Sequence, residues 1–68
     1  MNDQTLYEPD DEEIKDAATF MNKCSTKDLV DSWNRVSEEW SINSVVSLHR
    51  LLCGSGRIND LINEFQSK

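Results

Sequence analysis

One proline, two glycines, two cysteines and one histidine are the whole supply of backbone-bending and metal-binding specialists in this 68-residue chain. So little glycine and proline excludes collagen-like and low-complexity sequence. Cys24 and Cys53 form no CxxC, and His49 is read as standing at no ligand spacing from either. Because structural zinc usually takes four ligands, no metal and no other cofactor is expected within one chain. A disulfide between the two cysteines remains open on sequence alone.

Positive charge is missing from the first thirteen residues, where Asp3, Glu8, Asp10, Asp11, Glu12 and Glu13 occur without one Lys or Arg. From Ile14 to Lys68 acids and bases balance, so the net charge of −6 belongs to the head of the chain. An acidic head on a neutral body implies different partners from a uniformly acidic surface. The N-terminus shows no basic stretch followed by an apolar one, which predicts no secretory leader and a cytoplasmic, reduced setting. Long apolar runs are also missing; none approaches the roughly 20 residues that span a bilayer. Nor is there a glycine-rich phosphate loop, EF-hand spacing, paired-carboxylate hydrolase pattern or aromatic RNA-binding motif. No residue is therefore nominated for catalysis, and the expectation is a protein that is not an enzyme.

What is present is helical periodicity. The pattern predicts an all-α fold, a small bundle of three to four short helices at about 10–24, 26–40, 42–53 and 57–66, preceded by a flexible acidic arm over residues 1–8. Pro9 suits a helix start, where its missing N–H has no intrahelical partner, and Asp10 to Glu13 meet the positive end of the helix dipole. Ile14, Ala17, Ala18, Met21 and Cys24 recur at three and four residues, with Phe20 at the margin of that face. Ser25 is an N-cap for the second helix, with Asp28 in place of the usual Glu. Its stripe of Leu29, Trp33, Val36 and Trp40 resembles a short coiled-coil seam.

At roughly 100° per residue, an unbroken helix would carry that stripe on one side and Ile42, Val45, Val46, His49, Leu52 and Cys53 on the other. A bend at Ser41 to Ser44, with Ser41 or Asn43 capping the next helix, resolves the conflict. The third helix carries a wide apolar arc that includes Leu48, with Asn43, Ser44, Ser47 and Arg50 as its polar side, and is expected to be the central, most buried element. On this reading Cys53, like Cys24, is an inert thiol on an apolar face, and His49 is a core or edge histidine. Gly54-Ser55-Gly56 ends the helix, and Ile58, Leu61, Ile62 and Phe65 form the apolar face of a fourth.

The two tryptophans are the largest apolar groups on the chain, and Trp40, beside the bend, is expected to be partly exposed. The expected role is a small non-catalytic protein–protein interaction module, an inhibitor, adaptor or regulatory subunit. Trp33 and Trp40 are its apolar anchors, while Glu38, Glu39 and the arm from Glu8 to Glu13, with Asp10, Asp11 and Glu12 between, meet basic groups on a larger protein. Direct nucleic-acid binding is disfavoured because no basic stripe is present. Two alternatives stand beside this reading: a dimeric transcription regulator using the third and fourth helices, and a self-assembling subunit or homodimer joined through the seam from Leu29 to Trp40.

Overall fold

A computed structural model describes residues 6–67. It contains four helices: α1 (Asp11–Lys23), α2 (Thr26–Glu39), α3 (Ile42–Ser55) and α4 (Arg57–Gln66). Residues 1–5 of the expected arm, Asp3 among them, and Lys68 lie outside the described residues.

Side chains at the helix starts explain the boundaries. The N-cap of α1 is Asp10, whose carboxylate accepts from the Glu13 N–H at 2.8 Å while Glu13 accepts from the Asp10 N–H at 3.2 Å, a reciprocal capping box. Pro9 thus stands one residue before the cap, buried, rather than inside the first turn. Ser25 accepts from the Asp28 N–H and opens α2, and Ser41 accepts from the Ser44 N–H and opens α3. The chain does turn at Ser41, as the opposed apolar stripes require.

Gly56 closes α3 in the left-handed conformation at φ 86°. Gly54 belongs to the last turn of α3, which runs two residues further than the sequence pattern indicated. Beside this turn, the Ser55 hydroxyl contacts the Asn22 side chain at 2.9 Å and an Arg57 Nη1–H donates to the Asn22 carbonyl at 3.4 Å, tying the α3–α4 corner to the end of α1.

The core is Ile14, Ala18 and Met21 from α1, Leu29 and Val30 from α2, Leu48 and Leu52 from α3, and Ile58 and Leu61 from α4. Helix α3 packs most extensively on α1 and next on α4. It is central in connectivity but not the most buried element. Only Ser44, Leu48 and Leu52 are buried on it, while Ile42 is 76% exposed and Val46 49%. The buried stripe is rotated from the expected arc toward Ser44, so Cys53 and His49 face solvent rather than the core. A Cα extent of only 16 Å in the thinnest direction explains the narrowness. Helices pack 8–10 Å apart, so about two layers fit and each helix can hide little more than one stripe. Among the described residues no helix is long and apolar enough to cross a membrane.

Candidate functional site: an aromatic pair among carboxylates

The break between α2 and α3 leaves backbone groups that neither helix can pair. Residues expected to belong to a flexible arm satisfy them. The Tyr7 N–H donates to the Glu39 carbonyl at 3.0 Å, and the Ser41 N–H donates to the Tyr7 carbonyl at 3.1 Å, a one-residue bridge between Tyr7 and Trp40. Glu8 continues the attachment, its Oε1 accepting from the Ser41 and Ser44 hydroxyls at 2.8 Å each. Ser44, expected on the polar side of α3, is only 3% exposed, and this carboxylate is what satisfies its hydroxyl. The described end of the arm is therefore fastened to the body by residues 7 and 8 and continues directly into buried Pro9 and the Asp10 cap.

This docking places the Tyr7 ring against Trp40, with ring centroids 6.5 Å apart and planes inclined by 53°. That is within the range favoured by aromatic pairs. The Tyr7 hydroxyl donates to Glu13 Oε2. Tyr7 stays 51% exposed and Trp40 half-buried, so the pair keeps a face toward solvent.

The electrostatics follow from which segments meet. Residues 6–14 and 36–49 contain no Lys or Arg, yet contribute Glu8, Asp10, Asp11, Glu12, Glu13, Glu38 and Glu39. One of these carboxylates, Glu8, and the Tyr7 phenol titrate against visible structure. The serine hydroxyls of Ser41 and then Ser44 hold the Glu8 carboxyl below the usual glutamate value. Donation to Glu13, followed by partial desolvation and the charges of Glu13 and Asp10, pushes the Tyr7 phenol above its ordinary value. An electron-rich ring face flanked by carboxylates attracts an Arg or Lys side chain through cation–π and ionic contact together.

The structure thus brings Trp40, Glu39, Glu13 and Asp10 into one neighbourhood, with Glu38 next to Glu39 and Asp11 and Glu12 exposed on the first turn of α1. It separates Trp33 from them. Trp33 lies seven residues away along α2, about 10 Å by helical rise. It packs against the core and meets the His49 ring at 6.1 Å. Leu29 at the head of the proposed seam is fully buried, so the stripe is turned into the chain's own core. Tyr7, Ser41 and Ser44 were not nominated for the site from sequence, and Glu8 stood out only as part of the acidic arm, because their association joins positions more than thirty residues apart.

Two further features bear on chemistry. An open groove of about 210 Å³ between α1 and α3 is lined by Asp11, Ile14, Lys15, Ser47, Arg50 and Leu51, which is below the roughly 300 Å³ at which small-molecule pockets begin. Cys24 and Cys53 are both free thiols. Cys24 is half-buried and donates to the Met21 carbonyl, whereas Cys53 is exposed one turn after His49, with Sγ 3.6 Å from Nδ1. The histidine therefore does stand at ligand spacing from a cysteine, contrary to the sequence reading. No protein-family model matches the chain, and no curated protein or solved structure is significantly similar to it.

Proposed function

We propose that this chain is a small non-catalytic interaction module that binds a basic segment of a larger protein through the patch formed by Tyr7 and Trp40. The observation that carries this reading is the solvent-facing aromatic pair held among Glu8, Glu13 and Glu39 without a neighbouring cation in either contributing segment. Aromatic anchors supply affinity at the centre of interfaces, and surrounding charge sets encounter rate and orientation. Tyr7 therefore replaces Trp33 as the companion of Trp40. The exposed acids Asp11, Glu12 and Glu38 serve as the steering rim.

The test is affinity capture from the source organism's lysate with wild-type chain, Tyr7→Ala and Trp40→Ala as baits, at low and high salt. Circular dichroism establishes that each bait is helical. The expected result is a protein retained by the wild type, released by salt and depleted at least tenfold with either variant, about 1.4 kcal/mol or more of binding. Retention equal across all three folded baits would refute the patch as the binding surface.

A further inference from the structure

Helix α3 leaves a second face unused. Ile42, Val46, His49 and Cys53 follow at intervals of four, three and four, the spacing of a coiled-coil seam, and all four are exposed. Neither Asp nor Glu occurs anywhere on α3, although the chain as a whole carries −6. Two copies can therefore bring these helices together without apposing carboxylates.

The polar end of this seam has the geometry of half a metal site. In a tetrahedral zinc centre, Zn–N bonds of about 2.05 Å and Zn–S bonds of about 2.3 Å place the nitrogen and sulfur about 3.6 Å from each other. His49 Nδ1 and Cys53 Sγ stand 3.6 Å apart. The Trp33 ring, 6.1 Å from the imidazole, walls one side of the histidine. Among the described residues no cluster of three or more potential ligands exists within the chain, so a closed four-ligand site needs a second copy. In a parallel two-fold pairing like residues face like: Ile42 and Val46 form apolar layers, and the His49 and Cys53 layers converge as a Cys₂His₂ set.

We propose that two chains bind one zinc ion between their His49 and Cys53 side chains, across a parallel α3–α3 contact sealed by Ile42 and Val46. The ion joins the two seams, and dimerisation becomes a response to available zinc. This proposal is independent of the Tyr7–Trp40 patch.

The test uses the full chain, stripped by chelator and kept reduced with a phosphine, titrated with Zn²⁺ and with Co²⁺ as a spectroscopic probe. Sedimentation equilibrium should show the mass doubling with zinc and reverting on chelation. Cobalt should give a thiolate charge-transfer band and tetrahedral visible bands that saturate at one ion per two chains. Cys53→Ser and His49→Ala should lose both signals, Val46→Glu should lose the zinc-induced doubling, and Cys24→Ser should keep both. The proposal is overturned if zinc leaves the mass unchanged, if the doubling survives Cys53→Ser, or if cobalt saturates at one ion per chain.

Discussion

Gly54 and Gly56 are chemically identical and have opposite backbone requirements. Gly56 holds a φ of 86°, where a Cβ is strained, whereas Gly54 is helical with nothing within 4 Å of a Cβ placed on it. Gly54→Ala should stabilise the fold by about 0.5–1 kcal/mol through lower backbone entropy in the unfolded chain. Gly56→Ala should destabilise it by about 1–2 kcal/mol. Urea denaturation of both variants checks the pair. Glu8 provides a pH signature. Its carboxyl is held below the usual value by the Ser41 and Ser44 hydroxyls, so the unfolded chain protonates first as acid is added. The resulting stability is fully present above the unfolded value of about 4.3 and is lost as pH falls through the lower folded value. Glu8→Gln mimics the protonated acid. Its denaturation midpoint should lie below that of the wild type near neutrality and converge with it in acid, and a constant gap would contradict the assignment.

Helix α3 is the element that most separates sequence from structure. Its apolar residues cover a wide arc, so periodicity alone leaves the buried direction loosely defined. Leu48 and Leu52 lie in the core, and the buried Ser44 hydroxyl beside them is satisfied by Glu8 across 36 positions, a contact that no local pattern announces. By contrast, the caps at Ser25 and Ser41, the break after Trp40 and the face of α1 were legible, because each rests on signals within one or two turns, whereas on α4 only Ile58 and Leu61 of the expected face are buried and Ile62 and Phe65 are exposed. The candidate site divides in the same way. Trp40 and its neighbouring acids stood out in the sequence, whereas Tyr7 became visible only through its bond to Glu39. The rotated packing has a mutational consequence. Leu48→Ala removes a fully buried side chain and should cost about 2–5 kcal/mol, while Ile42→Ser, at a site 76% exposed, should change stability by less than about 0.5 kcal/mol. Chemical denaturation separates these outcomes from the comparable costs at both positions that the wide apolar arc implied.

At the scale of the whole molecule, a thin slab must expose apolar surface, and this chain exposes Phe20, Ile42, Val46, Ile62 and Phe65 as well as the Tyr7 ring. The acidic head is joined to the body at residues 7 to 10, where charge becomes part of an aromatic surface. Nuclear magnetic resonance of the reduced chain tests this most directly, through aromatic cross-relaxation and amide exchange. Cross-peaks should connect the Tyr7 ring with the Trp40 indole, and the Tyr7 and Ser41 amides should exchange slowly because both are bonded. Absence of those cross-peaks, with both amides exchanging as fast as an unstructured peptide while the helices stay protected, would contradict the docked patch and the function proposed from it.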